Sequence, residues 1–175
     1  PVALTSGRFI VDDLTLSSDD NYIYFKANME HPGLYEVYRA DLSDNTIDTM
    51  TDLNGMTDYS LSPDGKNLLL SHSKVNQPQE LYVKPANETT AAKQITQSTS
   101  ADFNALPWAV PNIVAIESSH TDAPIYARVY LPENYDKTAP NKAVVFNHGA
   151  GYLQNAHMGW SGYFREYMFH SMLVQ

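Results

Sequence analysis

Cysteine is absent from the 175 residues. That excludes disulfides, thiol catalysis and cysteine-ligated zinc, but leaves the redox compartment open, since a chain of this size can build a core without staples. Basic residues are scarce: eleven Lys and Arg against twenty Asp and Glu give a net charge of −9, which argues against duplex nucleic acid or an anionic membrane surface as partner. Long apolar runs are missing as well. None approaches the ~18 residues needed to span a bilayer, and no charged-then-apolar signal opens the chain, so no membrane insertion is expected. No phosphate-binding glycine motif occurs, and His31, His72, His120, His148, His157 and His170 show no H-E-x-x-H or other metal spacing, so neither a cofactor nor a metal is expected. What is present is globular: 43% apolar and 18% charged residues, enough to bury a sizeable core.

The chain repeats itself. Leu16-Ser17-Ser18-Asp19 returns as Leu61-Ser62-Pro63-Asp64, a shift of 45, and Glu36-Val37-Tyr38 returns as Glu80-Leu81-Tyr82, a shift of 44. Leu4-Thr5, Met50-Thr51 and Ile95-Thr96 are spaced by 46 and 45, and Asp58-Tyr59 and Asp102-Phe103 by 44. Within each period, turn chemistry at Asp19-Asp20-Asn21 and Pro63-Asp64-Gly65-Lys66 precedes the apolar runs Tyr22–Phe25 and Leu68–Leu70, which predict hairpins whose central strands are covered on both faces. Asp19, Asp58, Asp64 and Asp102 then read as turn and strand-end residues rather than an acid/base pair. Four short strands per ~45 residues is the blade of a β-propeller; a β-sandwich with coincidental spacing is the alternative. Since a complete propeller of four blades needs ~180 residues and the repeat extends only to about Ala105, the chain reads as a fragment of a longer protein.

Beyond Trp108, between Pro107 and Pro111, the pattern changes. Ile113–Ile116 and the alternating segment Ile125–Leu131 predict a hairpin, residues 132–142 an exposed connection, and Ala143–Phe146 a fully buried strand. Trp160, Tyr163, Phe164, Tyr167, Met168 and Met172 carry the stripe of an amphipathic helix. Strand, glycine loop and helix together predict the start of an α/β layer. The fold expected is therefore mainly β, the C-terminal blades of a β-propeller (1–107) joined to the N-terminal portion of an α/β-hydrolase domain (108–175).

Asn147-His148-Gly149-Ala150-Gly151-Tyr152 stands where such a domain places half of its oxyanion hole. Acyl transfer puts negative charge on a former carbonyl oxygen, and backbone N–H groups on a small-residue loop can meet it with little reorganisation. An ordinary strand-to-helix turn with a packed histidine would carry the same residues. A nucleophile is not found: Gly159-Trp160-Ser161-Gly162 has its second glycine one residue early, and Ser161 reads as a helix-start residue. Asn87-Glu88-Thr89 matches a glycosylation sequon and marks an exposed loop.

Tyr59–Lys66, Gln77–Val83, Trp108 with Pro111, Phe146–Gln154 and Tyr163–His170 together resemble the prolyl oligopeptidase family of serine peptidases, in its bacterial dipeptidyl-peptidase IV-like and acylaminoacyl-peptidase-like branch. The resemblance implies a post-proline dipeptidyl- or oligopeptidase, acting on short peptides through an acyl-enzyme, with a Ser, Asp, His triad and substrate-amine carboxylates outside this stretch. It implies an oxyanion loop at His148, Gly149 and Ala150, with the donor a backbone N–H of Gly149 or Ala150, and a supporting role for Tyr152 and Gln154. It also implies a periplasmic setting and no activity for the stretch alone. A non-enzymatic propeller binding module and an esterase or lipase remain the other readings. Blades and a half-built sheet with uncovered faces imply self-association.

Overall fold

The computed structural model describes residues 2–147, 149–151, 153–161 and 164–175, with only the backbone at 164–167. Eight strands form two antiparallel four-stranded sheets in simple chain order. The first holds β1 (Val11–Leu16), β2 (Tyr22–Ala27), β3 (Glu36–Asp41) and β4 (Ile47–Thr49). The second holds β5 (Met56–Leu61), β6 (Asn67–Lys74), β7 (Gln77–Pro85) and β8 (Lys93–Gln94).

The repeated residues build repeated devices. Ser17 donates to Asp19 at 2.6 Å and accepts from the Tyr22 N–H at 2.9 Å, and one period on Ser62 donates to Asp64 at 2.6 Å and accepts from the Asn67 N–H at 2.9 Å. These bonds close the β1–β2 and β5–β6 turns, and Gly65 supplies the left-handed φ of 70° that the second turn needs. At the other end, Thr51 donates to the Glu36 carboxylate at 2.5 Å and accepts from the Val37 N–H at 2.8 Å. Thr96 does the same for Glu80 and Leu81 at 2.5 and 2.7 Å.

The sheets stack face to face through Tyr24, Val37 and Met50 of the first against Leu68, Leu70 and Ala86 of the second. The opposite face of the first sheet, Phe25, Ala27, Tyr38 and Ala40, is covered by Leu4, Phe9, Val11 and Met29. So the apolar run of β2 is buried on both faces, as expected. The run of β6 is not. Leu69 is 44% exposed, and with Leu81 and Ile95, 37% and 51% exposed, it makes an open face on the second sheet; within the described residues no element lies on that side of the pleat. Asp58 and Asp102 also differ from expectation. Asp58 sits inside β5 and pairs with Lys26 of β2 at 2.7 Å. Asp102 lies in the one-turn helix α1 (Ala101–Asn104), capped by Ser100, where the repeat gives way.

Glu36 governs the crossing between sheets. Its carboxylate accepts from Thr51, from the Leu53 and Asn54 N–H groups at 2.9 and 2.8 Å, and from Thr57 of β5 at 3.3 Å. Burial pushes its pKa up against these hydrogen bonds. Since a carboxylate only accepts, the Thr57 hydroxyl donates to Glu36 and accepts from His72 Nδ1 at 2.9 Å. His72 is fully buried, its Nε2 has no partner, and its ring lies edge-on to Tyr82. Burial, with a smaller contribution from Lys74, pushes its pKa down to about 4.

After α1 comes the hairpin of β9 (Asn112–Ile116) and β10 (Ile125–Val129), paired Ile125 to Ile116 through Val129 to Asn112, as expected. Residues 133–142 are exposed, with Pro132 half-buried. Ala143–Phe146 contradicts the expected buried strand: it pairs with nothing among the described residues, and Val145 is 88% exposed. A central parallel strand is stable only when neighbours bond both its edges and cover both its faces. The helix α2 runs Phe164–Leu173, so Trp160 precedes it instead of opening its stripe, and Ser161 stands ahead of its first turn. Trp160 packs on Phe103, which stacks on Trp108 at 4.9 Å. Tyr163 lies outside the described residues. Met168 and Met172 are exposed, while buried Ser171 accepts from the Ala109 N–H at 3.3 Å.

The His72 shift fixes a pH dependence. Between its ordinary value of 6.5 and about 4, the unfolded chain binds the His72 proton and the folded chain does not. Stability therefore falls as pH drops through that window, by on the order of 3 kcal/mol. Glu36, raised when folded, acts in the opposite sense and offsets part of the fall. Urea denaturation from pH 7 to 4 should show the decline, and His72→Phe should flatten it.

Candidate functional site

The turn between β2 and β3 is where distant parts of the chain meet. Its shape is held internally: His31 Nδ1 accepts from the Gly33 N–H at 3.0 Å, and the Leu34 N–H bonds the His31 carbonyl at 3.0 Å. Asn28 reinforces it, accepting from the Ile10 N–H at 2.6 Å and donating to the Pro32 carbonyl at 3.3 Å. Tyr35 then crosses to the second sheet, its N–H on the Gly55 carbonyl and its own carbonyl accepting from Thr57, both at 2.9 Å.

Onto this turn fold the hairpin and the segment after the glycine loop. The His31 ring meets Tyr126 edge-on at 5.5 Å. Gln154 bonds Tyr35 and Pro32, the Met158 N–H bonds the Gly33 carbonyl at 2.8 Å, and the Trp160 N–H bonds Ser73 at 3.2 Å. Arg128 of β10 reaches the His157 carbonyl at 3.4 Å. The approach is close enough to require glycine at 33. A Cβ there would stand 2.3 Å from Ile113 Cδ1 and 3.0 Å from the Ala156 carbonyl oxygen.

Of the three residues expected to form the oxyanion loop, His148 lies outside the described residues, as does Tyr152. Gly149 is exposed and Ala150 half-buried, and the Leu153 N–H closes a turn on the Ala150 carbonyl at 3.0 Å. Nothing lies within 4 Å of where a Cβ would stand on Gly149 or Gly151. Among the described residues, the two glycines thus sit beside open space, five and three residues ahead of Gln154. Gln154, expected only as a support for the loop, is its tie to the sheets. The partners of that tie, Pro32 and Tyr35, carry no local sequence signal, being about 120 residues away in the chain.

The carboxylates take no part. Asp19 and Asp64 are held below the ordinary range by Ser17 and Ser62. Burial works against the Lys26 ammonium, but Asp13 and Asp58 more than offset it and hold its pKa above the usual lysine range. An open cleft of about 670 Å³, lined by Asn76, Gln77, Glu80, Gln94, Thr96 and Asn104 among others, shares no residue with the glycine loop. No group of metal-ligating side chains occurs among the described residues.

With this geometry in view, the likeness to known proteins falls into two levels. In fold, the chain is similar to part of the crystal structure of Porphyromonas gingivalis dipeptidyl peptidase 4, which matches with a TM-score of 0.71 and 15% identity, over 97% of this chain and 24% of that one. In sequence, a Podospora anserina protein named Probable dipeptidyl-aminopeptidase B is 38% identical over 92 residues, which is 50% of this chain and 10% of the relative. Residues 1–79 match the family described as dipeptidyl peptidase IV (DPP IV) N-terminal region. The N-terminal 79 residues are thus similar to this region, and the chain spans a minor part of the length of each protein it matches.

The two kinds of glycine should separate by stability. Gly33→Ala should lower the unfolding free energy by about 1–3 kcal/mol through overpacking, while Gly149→Ala should stay within about 0.5 kcal/mol. Urea denaturation of both variants checks this.

Proposed function

We propose that the protein containing this chain is a serine peptidase of the dipeptidyl-peptidase type. Its β-propeller includes residues 1–107, and its α/β-hydrolase domain begins within 108–175. One observation carries this reading: the residues that bond the segment after the glycine loop, Pro32, Gly33, Tyr35 and Ser73, all lie in the stretch matched to the DPP IV N-terminal regions. This supports a loop of small residues standing near the ends of the repeated sheets. In the reaction, a backbone N–H of Gly149 or Ala150, in the loop whose sequence opens with His148, would meet the oxyanion of a short peptide substrate, while a triad elsewhere in the protein forms and releases the acyl-enzyme. The chain alone carries no such triad and should be inactive.

The propeller reading is supported by how the repeated faces pack. Tyr24, Val37 and Met50 pack on the second sheet, and their counterparts one period on are Leu69, Leu81 and Ile95. Leu4, one period before Met50, packs on the first sheet in the same way. Each Leu/Met/Ile-Thr mark thus seats its apolar residue on the following sheet, and Ile95 faces the place of a third. Such head-to-tail stacking continues until a ring closes.

The full-length protein should release dipeptides from chromogenic X-Pro or X-Ala substrates with a burst of acyl-enzyme, and a serine-directed phosphonate should abolish release. No release, or release indifferent to the reagent, would count against the peptidase. Binding of peptides without turnover would favour a propeller binding module, and hydrolysis of simple esters alone would favour an esterase. The isolated chain should self-associate through the open face of the second sheet. Light scattering at micromolar concentration should show oligomers that Leu81→Glu shifts to monomer, and a monomeric parent chain would contradict this.

A further inference from the structure

Gln154 has both ends of its side-chain amide engaged by the turn between β2 and β3. Its Oε1 accepts from the Tyr35 hydroxyl at 3.2 Å, and its Nε2 donates to the Pro32 carbonyl at 2.5 Å. A longer contact of 3.4 Å runs to the Ala156 carbonyl in its own segment. One planar group therefore meets one donor and one acceptor, an arrangement specific to an amide. A carboxylate of the same shape would set an oxygen against the Pro32 carbonyl, and a thioether would fill the space with neither bond.

The partners are themselves immobilised. Tyr35 and Asn28 are buried, Asn28 Nδ2 lies 3.3 Å from the Pro32 carbonyl and 3.5 Å from the Tyr35 hydroxyl, and the Tyr35 backbone, just ahead of β3, is bonded to Gly55 and Thr57 at the start of the second sheet. Among the described residues, nothing lies within 4 Å of a Cβ placed on Gly149 or Gly151, and the nearest backbone bond is the single turn from Leu153 to Ala150. Three residues after Gly151, the Gln154 amide bonds this stretch to the turn between β2 and β3.

We propose that Gln154 is a positioning residue for the Gly149–Gly151 loop, transmitting the orientation of the sheet ends to the backbone N–H groups of Gly149 and Ala150. The tie is purely geometric, whereas its effect on turnover rests on the peptidase reading above. Removing it frees the loop to sample orientations in which those N–H groups miss the oxyanion, a loss felt in the transition state more than in substrate binding.

The test uses the full-length protein with Gln154→Met, Gln154→Glu and Tyr35→Phe. Hydrogen exchange of peptides spanning 149–158 should quicken at least about tenfold in both Gln154 variants and less in Tyr35→Phe. Dipeptide release should lose about 10- to 100-fold in kcat with KM changed less than about threefold, and the melting temperature should hold, because Gln154 is exposed. Unchanged exchange in both Gln154 variants overturns the proposal, as does quickened exchange with unaltered kcat in an active protein. A wild-type protein that releases no dipeptide overturns the peptidase reading instead, and the exchange data then decide the tie alone: quickened supports it, unchanged refutes it.

Discussion

The buried Glu36 carboxylate draws donors from four places: the Thr51 hydroxyl after β4, the N–H groups of Leu53 and Asn54 in the connection, and Thr57 on the second sheet. A buried carboxylate that lost these partners would face a penalty of several kcal/mol, so the connection has one acceptable path around it. That path sets where β5 begins, and with it the stacking of the two sheets. Through Thr57 the same network reaches His72, which stays neutral because burial, with a smaller contribution from Lys74, disfavours its charged form.

The consequences run outward from that joint. Tyr35 precedes Glu36 in the chain and is bridged to Met56 across the sheets, so fixing Glu36 also fixes the turn from His31 to Tyr35. The hairpin, the Gln154 segment and Met158 are all received by this turn. The segment after the glycine loop is thereby referenced to the crossing between the two sheets.

Repetition explains what is covered and what is open. Glu36 and Glu80 occupy the same place in successive periods and take the same threonine, yet their pKa values move oppositely. Glu36 lies under the crossing and is raised by burial, while Glu80 borders a cleft and is lowered, chiefly by Thr96 with help from Ser98. Identical local chemistry thus acquires different electrostatics from what packs above it. The same holds for Tyr24 and Leu69, one sealed by a following sheet and the other exposed.

The local repeat was legible in the sequence because its marks are local chemistry. The turns at Asp19 and Asp64 and the hairpin of Ile113–Ile116 with the segment from Ile125 depend on residues close in the chain, and the structure has each of them; that the repeated Glu and Thr marks bond one another appears only in the structure. The open face of Leu69 and the absence of a strand at Ala143–Phe146 were not legible, since an apolar run specifies that a residue can be buried but not which neighbour will cover it. Nor could the glycine motif disclose its support. Sequence alone determined the period, the turns and the small residues of the loop, because these follow from backbone conformation and near-neighbour hydrogen bonds. Only the tertiary structure decided that Gln154 meets Pro32 and Tyr35, because contacts across about 120 residues exist only once the sheets have stacked.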